Sequence, residues 1–222
     1  MLSQTTHAAA LPLLPYEVLS QPQQVRPPHL GATRCYARNA EIFGEDEPAT
    51  HIYRVVSGAI RTYRILHDGR RQITAFYLPG DLFGFEAGSN HLNSAEAICE
   101  SQISAIRLNA ASRPMAGSAD PTSDLWSMVK EELRRMQDHM VLLVRSAEER
   151  VAHFLLEMSR RSGNLATVNL QMSRQDIADY LGITIETVSR TLTHFEQAGL
   201  ISLRTSRQID LCKRAALARL NA

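Results

Sequence analysis

Three textures of apolar and polar residues follow one another along the chain. From Thr33 to about Leu108, short alternating runs recur: Ile52-Tyr53-Arg54-Val55-Val56, Ala59 to Ile65, and Gln72-Ile73-Thr74-Ala75-Phe76. Alternation with a period of two marks half-buried strands. Glycine punctuates the runs at Gly44, Gly58, Gly69, Gly80, Gly84 and Gly88. His67-Asp68-Gly69 predicts a hairpin turn, because Asp-Gly reaches positive φ at little cost. Many short strands at this spacing predict a sandwich, roll or jelly-roll.

After Pro121 the alternation stops. Residues 122–161 hold neither proline nor glycine and are rich in Leu, Met, Glu and Arg. The pattern predicts a long helix, or two in sequence. Trp126, Val129, Leu133, Met136, Met140, Leu143 and Ala147 follow one another at spacings of 3 and 4. That is a coiled-coil seam of about three heptads, expected to pair with a second subunit. Met128, Val141, Leu142 and Val144 lie off the seam, so another face is expected to pack on the chain's own roll.

The third texture is two short helices with a tight turn between them. Ser173 followed by Asp176 reads as an N-cap with an acidic residue in the first turn. Ile177, Ala178 and Leu181 form an inner face, and Gly182 ends the helix. Thr184 caps a second helix whose inner face is Val188, Leu192 and Phe195. A small residue at the crossing, a glycine at the turn and a branched residue after it let the helices meet steeply. The outer face of the second helix then stays free for a DNA major groove. Ile185, Glu186, Ser189 and Arg190 lie there. Arg190 suits guanine O6 and N7, and Glu186 suits a cytosine amino group. Ser189 can bond either kind of base edge, and Ile185 can touch a thymine methyl. A plain surface pair between Glu186 and Arg190 is the bland alternative. Residues 199–211 read as a hairpin wing. Ser173, Arg174, Gln175, Thr184, Thr187 and Arg204 are candidate phosphate contacts, which position without reading sequence.

The remainder of the chain changes this picture only at its edges. Residues 1–30 carry five of the nine prolines and no periodicity, and read as a partly disordered arm. The 222 residues are 44% apolar and 21% charged, ample for a core. A net charge of +1 excludes a polybasic binder but not a reader whose positive charge is local. Cys35, Cys99 and Cys212 form no CxxC pair and suit reduced thiols in the cytoplasm. No run nears the roughly 18 apolar residues of a membrane span, and the N-terminus lacks the basic start of a signal peptide. The expected fold is α+β. It comprises an arm over 1–30, a jelly-roll-like β-roll over 31–120, a dimerisation helix over 121–154 and a winged helix-turn-helix over 155–222.

Roll, long helix and winged helix-turn-helix, in that order, resemble the Crp/Fnr family of bacterial transcription regulators. The resemblance covers about 25–215. It rests on Leu78-Pro79-Gly80-Asp81-Leu82-Phe83-Gly84, on Ala147-Glu148-Glu149-Arg150-Val151-Ala152-His153-Phe154-Leu155, and above all on Asp176 to Arg190. Glu186-Thr187-Val188-Ser189-Arg190 looks like the Fnr side, where a Glu, a Ser and an Arg read the bases. The resemblance implies a homodimer, mainly an activator, on a palindrome of TTGA-like half-sites, in contact with RNA polymerase.

Two departures narrow the effector. Cyclic-AMP-responsive members clamp the phosphate with an Arg-Ser pair, but Asn93-Ser94 stands here. An anionic phosphate would lack a fixed cationic partner. Residues 1–34 hold no cysteine, so an N-terminal iron–sulfur cluster lacks its thiolates. The FixK-like branch, which governs microaerobic respiration and nitrogen fixation in rhizobia, has neither device and resembles this chain. No cofactor or metal is expected. Two alternatives stand beside this reading. One is a regulator gated by an unidentified effector, including haem, for which His51, His67 and His91 lie in the roll. The other is a metal-dependent jelly-roll enzyme, disfavoured because no His-x-His occurs.

Overall fold

The structure, a computed structural model, describes residues 33–107 and 121–220. The expected arm over 1–30 lies outside the described residues. Eight strands open the fold: β1 (Thr33–Tyr36), β2 (Glu41–Phe43), β3 (His51–Ser57), β4 (Ile60–Ile65), β5 (Arg71–Tyr77), β6 (Leu82–Phe83), β7 (Ser94–Ala97) and β8 (Ser101–Arg107). They form two antiparallel four-stranded sheets, ordered β1-β8-β3-β6 and β2-β7-β4-β5. The Asp-Gly signal is met by the β4–β5 hairpin, where Gly69 takes φ 81° and Asp68 Oδ1 accepts from Arg70 N. Gly58 turns β3 into β4 at φ 87°, and a Cβ there would lie 2.7 Å from the Ser101 backbone. Only glycine fits so close an approach.

Alternation assigns the two faces of the sheets. Phe43, Val55, Ile60, Tyr77, Phe83 and Ile103 face inward and fill the sandwich. Phe83 stacks within 5.3 Å of both Tyr53 and Tyr77, and the buried His91 ring lies 3.6 Å from Phe43. Ala59, Ile73, Phe76 and Ile98 belong to a second cluster, which continues through the helices to the C-terminal domain. Roll and C-terminal domain therefore share one apolar core.

Two helices follow, α1 (Pro121–Leu142) and α2 (Ala147–Arg161). The stretch expected to hold one long helix, or two in sequence, holds two, parted at residues 143–146, and the domain boundary expected at 154/155 falls inside α2. Ser146 is the physical reason. It is extended, at φ −65° and ψ 160°, and forms a capping box with Glu149. A capping box starts a helix, so the preceding one must end. Trp126, Leu133, Met136 and Met140 share α1 and are 54–70% exposed, and Val129 is half-buried among them. Leu143 falls in the turn and Ala147 opens α2, so the seam does not run unbroken to its last two members.

Asp81 of the Leu-Pro-Gly-Asp motif ties these helices to the roll. Its Oδ2 accepts from Leu78 N at 2.7 Å and from Arg161 of α2 at 2.5 Å. Arg161 also donates to Phe76 O, and Arg135 of α1 lies 3.5 Å from Asp81 Oδ1. Tyr77 donates to Glu132 of α1 at 2.8 Å.

After α2 come β9 (Thr167–Asn169), α3 (Arg174–Leu181), α4 (Ile185–Gln197), β10 (Ser202–Leu203), β11 (Gln208–Asp210) and α5 (Arg214–Arg219). The wing is a three-stranded sheet in the order β10-β11-β9, one strand more than the hairpin expected.

His139 of α1 marks the junction of all three parts. Its ring stacks on Tyr180 of α3 at 4.2 Å, and its Nδ1 is buried without a hydrogen-bond partner among the described residues. Burial, helped by the charge of His153, pushes its pKa from the ordinary 6.5 down to about 4. The unfolded chain therefore binds more protons than the fold between these values, and stability falls as pH drops through that window. His139→Phe keeps the stack and removes the titration. Its melting temperature should fall less steeply between pH 7 and pH 4 than that of the wild type, and an identical slope would contradict the assignment.

Candidate nucleic-acid interface

The helix-turn-helix is built from its caps inward. Ser173 is the N-cap of α3, and its Oγ accepts from Asp176 N at 3.1 Å. Asp176 answers with Oδ2, which accepts from both Ser173 N and Ser173 Oγ. Gly182 closes α3 at φ 62° and ψ 38°, a left-handed position that suits glycine. Thr184 caps α4 by accepting from Thr187 N at 3.2 Å. Ala178 and Val188 are fully buried where the two helices cross. Leu192 and Phe195 complete the inner face of α4.

That packing leaves the opposite face of α4 open. Glu186 and Arg190 are exposed and Ser189 is half-buried, all on the first turns. The Glu186 carboxyl is held below the usual carboxylate range by its own backbone N–H, the Thr184 hydroxyl and the charge of Arg190. It is thus an ionised acceptor at neutral pH. Ile185 differs from its expected place, being half-buried against the shared core, so only part of its side chain reaches outward.

The phosphate candidates divide in the same way. Ser173 has both its donors, N–H and O–H, committed to Asp176, which leaves it a capping residue with no donor for a phosphate. Arg174 is half-buried at the start of α3. Gln175 is exposed and donates to Asp179 at 2.6 Å, with its second amide proton unused in that bond. Thr184 and Thr187 share one hydroxyl–hydroxyl bond at 3.1 Å. Arg204, on the turn side of β10, pairs through Nε with Asp210 and keeps its outer nitrogens beyond that contact.

Several residues that fix this unit carry no local sequence signal. Arg150 of α2 donates to Leu181 O at 2.8 Å and Gly182 O at 3.4 Å, so it holds the carbonyls at the turn. From the roll, Arg61 reaches Asp176 Oδ1 at 2.9 Å and Arg71 reaches the same oxygen at 2.6 Å. Arg71 also contacts Asp179 at 2.7 Å, and Arg61 contacts Glu96 at 2.9 Å. Burial pushes the Asp176 carboxyl up. The Ser173 hydrogen bonds and the two arginine charges more than offset this and hold it below the usual range. Gln72 donates to Tyr180 O at 3.4 Å across the same junction.

Comparison with known proteins places this geometry. Residues 149–220 match the Crp-like helix-turn-helix domain, and residues 33–116 match the cyclic nucleotide-binding domain. The nitrogen fixation regulation protein FixK of Azorhizobium caulinodans is 47% identical over 199 residues, spanning 87% of this chain and 80% of that protein. Its counterpart from Rhizobium meliloti is 41% identical over 208 residues, 89% of this chain and 95% of that protein. The solved structure of FixK2 from Bradyrhizobium japonicum superposes with a TM-score of 0.81 at 45% identity, covering 87% of this chain and 98% of that one. Among the described residues no helix is long and apolar enough to cross a membrane. With a roll, a broken helix pair and a capped helix-turn-helix in this order, the chain belongs to the Crp/Fnr family of DNA-binding transcription regulators and is closely related to its FixK members.

Proposed function

We propose that two copies of this chain pair along α1 and read a palindrome of TTGA-like half-sites, activating microaerobic and nitrogen-fixation genes in the cytoplasm by contact with RNA polymerase. One observation carries the reading: Glu186, Ser189 and Arg190 stand together on the open, N-terminal face of a helix whose other face is fully packed. Arg190 supplies a fork for a guanine and Glu186 an acceptor for a cytosine amino group. Ile185 is a minor apolar contact. Arg174, Gln175, Thr184, Thr187 and Arg204 ring this face and suit phosphate contacts. The names of the FixK relatives support the choice of genes.

The roll supports control without a cyclic nucleotide. Asn93 stands where the family's phosphate clamp has an arginine, and its buried Oδ1 is an acceptor. The asparagine amide is neutral and gives a phosphate no fixed cationic partner. The adjacent Ser94 hydroxyl already accepts from Glu45 N at 3.0 Å. Glu86 is occupied by His91 Nδ1 and Leu92 N, and the His91 ring covers Phe43. These residues do not fit a cyclic nucleotide.

The dimer rests on α1. An exposed stripe of Trp126, Leu133, Met136 and Met140 is what a helix leaves uncovered when a partner helix completes it.

Arg190→Ala should weaken binding to the selected site by ~1–3 kcal/mol and relax one base position. Selection from random DNA with an unchanged base preference would sink the base-reading assignment. Leu133→Glu places a charge in the exposed stripe without touching the roll core. Sedimentation should show a dimer for the wild type and a shift toward monomer for the variant, and a variant dimer of unaltered strength would refute α1 as the pairing surface.

A further inference from the structure

The junction between roll and reading unit holds an ionic fork that the DNA-binding chemistry leaves unexplained. Arg61 of β4 and Asp176 of α3 are both under 10% exposed, 115 residues apart in the chain, and meet at 2.9 Å. Arg71 of β5 joins them on the same carboxylate oxygen and grips Asp179 one turn further along α3. Glu96 of β7 holds Arg61 from behind. Four carboxylate contacts use Asp176 completely: two from the roll's arginines and two from its own N-cap serine.

Stability alone is a poor reason for such a cluster. Buried ion pairs pay a desolvation cost that often cancels their attraction, and apolar replacements of like volume are frequently as stable. Arg61 even leaves its Nε buried without a hydrogen-bond partner among the described residues. What a charged fork adds to an apolar contact is direction. The neighbouring packing of Phe76 against Tyr180, with ring centroids 5.1 Å apart, resists separation but tolerates sliding. The fork does not, because charge-assisted bonds from two strands converge on one helix end.

We propose that Arg61 and Arg71 are positioning residues for DNA recognition, locking α3 to the β4–β5 face so that the roll itself fixes the direction of the reading helix. The lever is short. Asp176 caps α3, α3 crosses α4 at the Ala178–Val188 contact, and α4 carries Glu186 and Arg190. A tilt of α3 on the roll breaks either the fork or the cap. The inference rests on the dimeric, palindrome-reading function proposed above, for in a dimer the direction of each α4 sets the spacing between half-sites.

The test uses the full-length protein and a DNA library of two half-sites separated by randomised spacers. Wild type should select a palindrome with one spacer. Arg71→Gln, at the rim of the cluster where folding is least at risk, should admit neighbouring spacers and lose roughly tenfold in affinity for the best site. Its preference within each half-site should stay as in the wild type, and Arg71→Lys, which keeps the charge, should recover the single spacer. Arg61→Lys, read alongside by thermal unfolding, gives a second and more buried variant with the same expectation of near-wild-type spacing. An Arg71→Gln protein that keeps the wild-type spacer and affinity, or binds more tightly, overturns the lock. A wild type that selects no palindrome overturns the functional reading beneath it instead.

Discussion

The carboxylate of Asp176 is the point through which the halves of this protein are mechanically joined. It is buried, it caps the first helix of the helix-turn-helix, and it receives two arginines from the roll. Removing the arginines would leave a buried carboxylate without its counter-charge, which costs several kcal/mol by the usual measure of broken pairs. The shared apolar core around Phe76, Phe154 and Tyr180 supplies adhesion between the same parts. Adhesion and direction are thus divided between two kinds of contact at one junction.

In the proposed dimer the helix pair carries that direction toward the second subunit. Ser146 and Glu149 end α1 and begin α2, so the exposed stripe and the reading unit sit on separate rigid segments. Arg150, the next residue along, bonds Arg145 O in the turn and the carbonyls of Leu181 and Gly182. Leu143 lies against Gly182 at a distance a Cβ would reach within 3.6 Å. The break between the helices is therefore packed against the elbow of the reader. A roll whose centre is filled by aromatic rings and His91 completes a molecule in which orientation is built into the fold.

Much of this was readable along the chain because the signals were local. Period-two runs and one Asp-Gly turn locate the β4–β5 hairpin. Ser173, Gly182 and Thr184 mark the caps of two helices within twelve residues, and the Glu-Thr-Val-Ser-Arg segment carries the family resemblance. What the local signals leave undecided is of two physical kinds. Where two local signals compete, the pattern alone leaves one long helix or two: the 3–4 spacing runs on through Leu143 and Ala147, while the Ser146–Glu149 capping box starts a new helix. Where a side chain has two possible partners, sequence cannot choose. Ser173 suits a cap or a phosphate, and its hydroxyl bonds Asp176; Ile185 lies between the core and the outer face. Short β9 offered three residues, too few for a period to register. Arg61 and Asp176 are linked by nothing but the fold.

Orientation fixed by the fold can be measured as a distance. With Cys35, Cys99 and Cys212 replaced by serine, Gln197→Cys places one spin label at the exposed end of each reading helix of the dimer. Electron–electron resonance on the protein alone should give a single narrow distance, unchanged when palindromic DNA is added. A broad distribution that sharpens only on DNA, or on a small-molecule ligand, would show that the roll does not set the reading head.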